Sequence, residues 1–372
     1  VERGYSAANS LGGTNIWQYA RQLTNKHISL DFANPQFIVG GKTYTRADVE
    51  AGLVSPSPLD SIYFNRVDTG SQSTFDMNLR KKLGAGKTDY IDVDNYDPSM
   101  FSLDMFSADE LQNSGNPFVS YYGYNYLGKR QTGQVNFNDF FTKKDANGNY
   151  TRDLGAYRPT YIAGYVLDKF QFKDINFNIG LRIDRFDANT KVLKDPYSLY
   201  ADKTAGQISN DMINENGSVP ANVGEDYVVY VDNNASSRKK IIGYRNGDDW
   251  YDYKGKLIED PTVLKQYSDG RDPQPWLVNP TENIRDSSFN PNNSFADYTP
   301  QVNVMPRLSF SFPISDQALF FAHYDVLVQR PLEGVYATAA DYYWLTTNAQ
   351  QGINNPTFIL LVPERLNNIL NQ

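Results

Sequence analysis

The segment 175–183 constrains the fold more than any other stretch, because apolar and polar residues alternate strictly along it. The apolar residues are Ile175, Phe177, Ile179, Leu181 and Ile183. The positions between and after them hold Asn176, Asn178, Gly180, Arg182 and Asp184. Since successive side chains of a β-strand point to opposite faces, this period of two predicts a strand with one apolar and one polar face. The apolar face either packs on a protein core or faces lipid.

Neighbouring segments predict two hairpins. In the first, 161–172 joins the alternating strand through a turn at 173–174. Its apolar face is expected to consist of Tyr161, Ala163, Tyr165 and Leu167. In the second hairpin, 307–312 is followed by a short turn with Pro and Asp, and then by 318–329. The apolar residues of this hairpin are Leu308, Phe310 and Phe312 on one strand and Ala318, Phe320, Ala322, Tyr324, Val326 and Val328 on the other.

The opposite ends of both hairpins lead into long polar stretches rich in Asp, Asn, Gly, Pro and Tyr. Connections without structure rarely exceed about 15 residues in a compact soluble domain. An outer-membrane barrel, in contrast, has short turns at one end and long loops at the other, and its closure satisfies the backbone polar groups. The pattern therefore predicts an all-β fold, part of a transmembrane antiparallel β-barrel with very long extracellular loops. The predicted parts are 1–160, a surface-loop region with short strands; 161–187, a barrel hairpin; 188–304, a long extracellular loop; 305–329, a second barrel hairpin; and 330–372, a loop and the start of a following strand.

The composition narrows the function classes. The formal net charge of −8 and the lack of a basic stripe argue against nucleic acid as a partner. The absence of cysteine excludes disulfides, thiolate catalysis and cysteine-bound zinc. No apolar run reaches the 18 or so residues of a membrane helix. The 27 Tyr and 21 Phe suit β-structure and sites where protein meets a boundary between water and a less polar phase.

Three segments, 105–130, 163–200 and 305–331, resemble the TonB-dependent outer-membrane receptors of the Bacteroidota. In that family, a run such as GYVLDKF followed by FNIGLRIDRFD is a barrel hairpin leading into a surface loop, and PRLSFSFPISD is a later hairpin. The segment NNPTFILLVPE at 354–364 is similar to a family segment that often reads Asn-Pro-x-Leu-x-Pro-Glu. The resemblance spans most of the chain from residue 105 onwards. The first 104 residues are similar to the family only in being polar and rich in turn residues.

The resemblance implies active uptake of a nutrient too large for porins, such as an oligosaccharide, a peptide or a metal chelate. It also implies location in the outer membrane, with the loops facing outside. Receptors of the family have a signal peptide, a TonB box, a plug domain and about 22 strands. The first three are not recognisable in this sequence. We therefore expect an internal portion of a longer receptor, which contacts outer-membrane lipid, TonB through regions absent here, and a surface lipoprotein or other outer-membrane subunits.

Two groups of candidate site residues follow from this interpretation. Polar residues on the predicted strands are expected to face a wet lumen: Asn176, Asn178, Arg182, Asp184 and Arg307. Aromatic residues beside carboxylates in 247–253 and 341–345 are expected to be exposed and to stack on sugar rings or peptide side chains. They are Trp250, Tyr251, Tyr253, Tyr343 and Trp344. The alternative for this second group is a set of packing clusters that stabilise the long loops.

Two acidic loops suggest calcium, because oxygen ligands recur at alternate positions. The candidate ligands are Asp92, Asp94 and Asp97 in the first loop and Asp145, Asn147 and Asn149 in the second. Both loops depart from the helix–loop–helix pattern, since Tyr150 occupies the position of the loop glycine and no acidic residue closes the second loop. Turns rich in Asp and Asn also form without metal. No other cofactor is expected.

No catalytic motif is complete, so an enzymatic function is not expected. The run GAGKT at 84–88 lacks the first glycine of a phosphate-binding loop, where Lys81 stands instead. The two histidines have no nucleophile motif to serve; His27 is expected to be exposed, and His323 to face the lumen or an interface. Two other functions remain open: a soluble, secreted β-rich binding protein, and a structural barrel subunit of an outer-membrane assembly.

Overall fold

The structure is a computed structural model that describes residues 3–7, 14–208, 218–232, 240–329 and 337–348. The segment 354–364 and most of the predicted part 330–372 lie outside the described residues. About 35% of the chain is in strands and 20% in helices, and all the sheets are antiparallel. This confirms a β-rich antiparallel fold, to which short helices are added. Among the described residues the sheets remain open, and no closed barrel is present.

The chain divides into two compact units. The N-terminal unit comprises Gly4–Arg130 and Lys144–Arg152, and the C-terminal unit comprises Val1–Arg3, Gln131–Lys143 and Asp153–Gln372. The elements of the N-terminal unit are β1 (Gly4–Ala7), α1 (Thr14–Leu23), β2 (Ile28–Leu30), β3 (Gln36–Val39), β4 (Lys42–Thr45), α2 (Arg46–Glu50), β5 (Ser61–Tyr63), β6 (Arg66–Asp68), α3 (Thr74–Leu83), α4 (Ala108–Gln112) and β7 (Val119–Tyr122). Single 3-10 turns span Val93–Asn95, Pro98–Met100, Leu103–Met105 and Asn113–Gly115.

Helix α3 organises the core of the N-terminal unit. Phe75 and Leu79 lie one helical turn apart and are fully buried. The ring of Phe75 stacks on Phe106 at 4.4 Å between centroids and meets Phe101 edge-on at 5.7 Å. The helix begins at the N-cap Ser73, whose side chain accepts a hydrogen bond from Asp76 N. These contacts give this half of the chain a hydrophobic core of its own.

A buried polar network lies beside this core. The Asp76 carboxylate accepts hydrogen bonds from Arg80 Nε at 2.7 Å and from Asn25 N at 3.0 Å. Burial alone would raise the pKa of Asp76, but the hydrogen bonds from Arg80 and Asn25 outweigh it and lower the pKa. His27 is fully buried; one ring nitrogen lies 2.9 Å from Lys87 O and the other 3.4 Å from Asp76. The expectation that His27 is exposed is therefore wrong, because this network encloses the ring.

Two local sequence patterns of this unit form regular structure. Ser107 and Glu110 form the capping box of α4, with each side chain bonded to the other residue's backbone N–H. The run QFIVGGKTYT forms the hairpin β3–β4, whose turn residues Gly40 and Gly41 have φ of +57° and +79°. Glycine suits this turn because residues with a side chain rarely adopt positive φ.

The C-terminal unit contains the remaining elements. They are α5 (Asp139–Thr142), β8 (Thr160–Phe172), β9 (Ile175–Asp187), β10 (Lys191–Leu193), β11 (Val228–Val231), β12 (Ile241–Asn246), β13 (Asp249–Asp252), β14 (Leu257–Ile258), β15 (Gln274–Pro275), α6 (Pro291–Ser294), β16 (Phe295–Asp297), β17 (Gln301–Ser315), β18 (Ala318–Asp325) and α7 (Ala339–Asn348), with 3-10 turns at Ala205–Gln207 and Pro261–Tyr267. Strand β11 lies within the run DYVVYVD, whose β-branched residues and tyrosines suit a strand.

A five-stranded sheet of order β14-β13-β12-β11-β15 forms the main core of this unit. Apolar side chains cover it on both sides. One cluster comprises Ala205, Ile208, Val223, Val229, Val231, Ile241 and Tyr244, and the other Tyr230, Ile242, Trp250 and Leu264. Much of this cover comes from the loops 197–208, 219–227 and 258–267, which fold back over the sheet.

A second sheet has the order β18-β17-β9-β8 and consists of long strands joined by short turns. Strands β8 and β9 have 13 residues each and β17 has 15. Only Asp184 and Met305 are buried in these four strands, whereas every residue of β8 is exposed. This sheet therefore carries no core of its own among the described residues.

Candidate functional site

The register of the four-stranded sheet gives it two chemically different faces. Directly paired residues of neighbouring strands share a face. Phe170 pairs with Phe177, which pairs with Phe310 on its other side. Extending this row through the ladders collects one set of side chains, called here the apolar face: Ile162, Gly164, Val166, Asp168, Phe170 and Phe172 of β8; Ile175, Phe177, Ile179, Leu181 and Ile183 of β9; Val302, Val304, Pro306, Leu308, Phe310 and Phe312 of β17; and Phe320, Ala322 and Tyr324 of β18.

The apolar face is exposed and ends in a row of aromatic rings. Val166 exposes 67% of its surface, Ile179 45% and Val304 54%. Near the turns, Phe170 stacks on Phe177 at 5.1 Å, and Phe177 lies 6.3 Å from Phe310. Phe310 in turn lies 5.9 Å from the ring of Phe320, so the row crosses all four strands. At the other end of the same face, Arg185 and Asp187 form an ion pair at 3.1 Å.

The assignment of Tyr161, Ala163, Tyr165 and Leu167 to the apolar face is wrong. The two-residue turn at Lys173 and Asp174 places Phe172 opposite Ile175, so even-numbered residues of β8 share the face of odd-numbered residues of β9. Register is fixed by the turn, and a shift of one residue exchanges the faces of a whole strand. Apolar residues occur at both parities in β8, and only the turn length distinguishes them.

The opposite face, called here the polar face, carries most of the polar side chains of the sheet together with a few apolar ones, such as Tyr165, Leu167 and Phe321. All five residues predicted to face a lumen lie on it: Asn176, Asn178, Arg182, Asp184 and Arg307. Asn178 Nδ2 donates to Ser309 Oγ at 3.1 Å. His323, paired with Ser309, lies on the same face and is exposed. That this face lines a lumen remains a prediction.

Ion pairs join the strands across the polar face. Arg182 Nε donates to Asp184 Oδ1 at 2.7 Å, and Arg182 Nη2 donates to the hydroxyl of Tyr161 at 2.9 Å. Tyr161 also donates to the second carboxylate oxygen of Asp184. Arg307 binds Asp325 through two parallel hydrogen bonds of 3.0 and 3.1 Å. The network links β8 to β9 and β17 to β18, and Tyr161 is a member that the sequence alone did not indicate.

A cleft of about 440 Å³ lies among these ion pairs. Gly180 lies in its wall and lets the paired Leu167 side chain approach closely, since a Cβ there would lie only 3.0 Å from Leu167 Cδ1 and 3.3 Å from Val166 O. The chain after β18 forms part of its wall. This chain leaves the ladder at Val326, whose N–H donates to Pro306 O at 3.1 Å. Pro306 has no N–H to return, so regular pairing with β17 stops there.

The aromatic candidates occupy different environments. Trp250 and Tyr343 are 5% and 6% exposed, so the expectation that they are exposed is wrong. Trp250 packs on Tyr230 at 4.7 Å in the core of the five-stranded sheet, and the ring of Tyr343 lies 5.4 Å from that of Phe140. The remaining three, Tyr251, Tyr253 and Trp344, are partly exposed. Tyr251 packs against Tyr227, Tyr253 against Tyr267, and Trp344 against Tyr343. These contacts are those expected of packing clusters.

The two acidic loops form turns. Asp92 and Asp97 each accept a hydrogen bond from the backbone N–H two residues on, and Asp94 pairs with Arg21. Asp145 accepts from the N–H groups of Asn147 and Asn149 at 2.8 and 3.0 Å. Among the described residues, no group of three or more His, Cys, Asp or Glu is placed to hold a metal ion. The residues of both loops thus serve as turn and cap residues.

A buried carboxyl in the C-terminal unit was not indicated by any motif. Asp202 Oδ1 accepts from Ser198 Oγ at 2.9 Å, and Asp202 Oδ2 is buried without a hydrogen-bond partner. Burial, and then the negative charge of Asp195, raise the pKa of Asp202 to about 7. Asp195 itself is paired with Arg245, whose guanidinium lies 4.6 Å from the ring centre of Tyr197. Asp195 and Ser198 lie within seven residues of Asp202, but Arg245 comes from β12, so the segment 195–202 alone does not indicate the buried carboxyl.

Comparison of the chain with protein-family models, with curated proteins and with solved structures finds no match. None of the helices that the structure describes has the length and apolarity needed to cross a bilayer. The two-faced sheet is therefore the feature on which a functional interpretation rests.

Proposed function

We propose that the chain is a portion of an outer-membrane transport protein, in which the four-stranded sheet forms part of the wall of a β-barrel. The observation that carries this proposal is the uncovered apolar face. Contiguous apolar patches larger than a few hundred Å² are rare on soluble monomers and mark surfaces that another phase or molecule covers. Here the patch extends over four strands, with an ordered polar face behind it.

The dimensions of the apolar face suit a bilayer. From Ile175 to Ile183 the strand has nine residues, and a tilted transmembrane strand needs about 9–11. The aromatic row formed by Phe170, Phe177, Phe310 and Phe320 lies at the turn end, where barrels of this kind carry an aromatic girdle at the interface between membrane and water. At the loop end the apolar residues give way to the pair Arg185–Asp187. The lipid contact is thus bounded on both sides.

The polar face would line the water-filled interior. Its charges are compensated by neighbouring charges, as in Arg182–Asp184 and Arg307–Asp325, so the face is polar without a large net charge. Together with the resemblance to TonB-dependent receptors, this supports active uptake of a nutrient such as an oligosaccharide, a peptide or a metal chelate. The loops would face outside and bind the ligand or a partner subunit such as a surface lipoprotein, and TonB would act through regions absent from this chain.

Membrane fractionation of the native polypeptide tests this proposal. Inner and outer membranes are separated, and mass spectrometry identifies the full-length protein that contains these peptides. We expect an outer-membrane protein that needs detergent for extraction and carries plug and further barrel sequence. A soluble product with no membrane association would contradict the proposal and favour a secreted binding protein. An outer-membrane protein without transport activity would favour a structural barrel subunit.

A further inference from the structure

The outer edge of β8 is open. Within the described part of the chain β8 pairs only with β9, and its 13 residues are exposed along their whole length. An exposed, long and apolar edge strand is a template for pairing with another strand. In a bilayer the unpaired N–H and C=O groups of such an edge have no water to bond and are strongly unfavourable. If the sheet lies in the membrane, as proposed above, β8 requires a further strand beside it.

Asp168 lies on the apolar face of this open strand. It pairs with Ile179, and its neighbours along β8 on the same face are Val166 and Phe170. Between the row of Phe172 and the row of Gly164, Asp168 is the only charged residue on the face. The row of Asp168 adjoins the aromatic row of Phe170 and Phe177, so the carboxylate would lie just inside the interface, where an uncompensated charge costs less than at the midplane and a basic partner would offset that cost.

The charged residues of β9 and β17 form ion pairs, whereas those of β8 do not within the described part of the chain. Every Arg and Asp of β9 and β17 belongs to an ion pair: Arg182–Asp184, Arg185–Asp187 and Arg307–Asp325. In contrast, neither charged residue of β8, Asp168 or Lys169, has a hydrogen bond or an ion pair within the part of the chain that the structure describes. Lys169 points to the polar face, where water can solvate it. Asp168 points to the apolar face, where only a partner side chain can compensate it.

We propose that the open edge of β8 receives a further antiparallel strand of the same polypeptide, and that this strand carries a lysine or arginine in contact with Asp168. The source is intramolecular because the sheet is already assembled in this way: β9 and β17 pair over eleven residues although more than a hundred residues separate them in the chain. Charge complementarity with Asp168 sets the chemistry of the partner. The inference depends on the proposed membrane location.

The direction in which Asp168→Asn shifts the thermal unfolding midpoint tests whether Asp168 has a basic partner. The variant is compared with the full-length native protein in outer membranes, and the midpoint of thermal unfolding is read from the heat-dependent electrophoretic shift of the barrel. Removal of one partner of a desolvated pair leaves the other charge uncompensated. We expect the midpoint to fall by on the order of 5 °C. An unchanged or raised midpoint would overturn the inference, because removing a lone carboxylate from an apolar surface should not destabilise the barrel.

Lys169→Gln is the matched control. It also removes one charge from β8, one residue away, but on the polar face. We expect its midpoint to stay within about 1 °C of the unchanged protein. A fall as large as that of Asp168→Asn would show that any charge change in β8 destabilises the barrel, and would contradict a specific pair at Asp168.

A photo-crosslinking amino acid at position 168 identifies the neighbour. We expect an intramolecular crosslink to a peptide with a lysine or arginine within two residues of the attachment site. A crosslink to another protein, or to a peptide without a basic residue there, would overturn the inference. These outcomes differ from failure of the proposed function, in which the protein would be absent from the outer-membrane fraction.

Discussion

Two antiparallel sheets of the C-terminal unit differ in how their apolar residues are covered. In the five-stranded sheet, five successive residues of β12, from Ile241 to Arg245, are buried. In the four-stranded sheet, all 13 residues of β8 are exposed, although the strand is rich in Tyr, Ile, Val, Leu and Phe. Apolar content therefore does not distinguish the two sheets.

The connections between the strands explain the difference. Strands of the five-stranded sheet are flanked by longer segments that fold back and contribute Ala205, Val223 and Leu264 to its cover. Two-residue turns occur in both sheets, between β12 and β13 in one and at Lys173–Asp174 and Asp316–Gln317 in the other, but among the described residues no segment returns over the apolar face of the four-stranded sheet. One sheet is covered by its own chain, whereas the apolar face of the other is uncovered among the described residues, and we propose that lipid covers it.

The largest expected effect compares the same truncation in both sheets. Ile242 is fully buried, so Ile242→Ala should lower the free energy of unfolding by about 2–5 kcal/mol through lost contacts and a cavity. Ile179 is 45% exposed, and Ile179→Ala should cost under about 1 kcal/mol in detergent. Denaturant titrations followed by tryptophan fluorescence measure both values. Equal losses would contradict the contrast between a covered and an uncovered sheet.

A charge placed on each face of β9 sharpens the comparison within the four-stranded sheet. Leu181→Arg puts a cation on the apolar face and should destabilise a membrane-embedded barrel by about 2–4 kcal/mol near the midplane. Asn178→Arg, on the polar face, should be tolerated. The amount of folded protein in the outer-membrane fraction and its thermal midpoint report the effect. Tolerance of Leu181→Arg would mean that the apolar face meets water.

A pH-dependent effect is expected beside the covered sheet. The pKa of Asp202 is about 7 in the folded state, well above the ordinary value of 3.8, so the folded state holds this proton more tightly than the unfolded state does. Stability should then fall as pH rises from about 4 to about 7. Asp202→Asn removes this loss and should raise the free energy of unfolding by about 1–2 kcal/mol at pH 8, with no gain at pH 4. A gain of equal size at both pH values would point to a cause other than the carboxyl.

The smallest expected effect concerns the polar face. Arg307 is 58% exposed at its side chain and pairs with Asp325. Because solvent screens such a pair, Arg307→Gln should change the free energy of unfolding by less than about 1 kcal/mol. Thermal unfolding at low and high salt measures it. A much larger loss would show that the face is shielded from water.

Some of these features follow from the sequence, and others do not. The faces of residues 175–184 in β9 and 307–312 in β17 were predicted because polar and apolar residues alternate along these segments. In β8 both parities contain aromatic and aliphatic residues, so the face depends on the register that the turn at Lys173 imposes, and the prediction was shifted by one residue. The position of Asp168 on the apolar face could have been read from the same turn length.

Long-range packing accounts for the rest. The burial of His27 depends on Asp76 and Lys87, which lie about fifty and sixty positions away. Trp250 was expected to be exposed because acidic residues flank it, but Tyr197 and Tyr230 enclose its ring. Neither arrangement leaves a local pattern, since the partners come from separate segments.

Site-directed spin labelling of β9 tests the central claim most directly. The chain has no cysteine of its own, so after replacement of any cysteine elsewhere in the full-length protein by serine, single cysteines at positions 176 to 183 can be labelled in outer-membrane vesicles. The collision rates with oxygen, which concentrates in lipid, and with a water-soluble nickel chelate are then measured. We predict a period of two, with odd-numbered positions favouring oxygen and even-numbered positions favouring the chelate. High chelate accessibility at the odd-numbered positions would contradict a lipid-facing sheet.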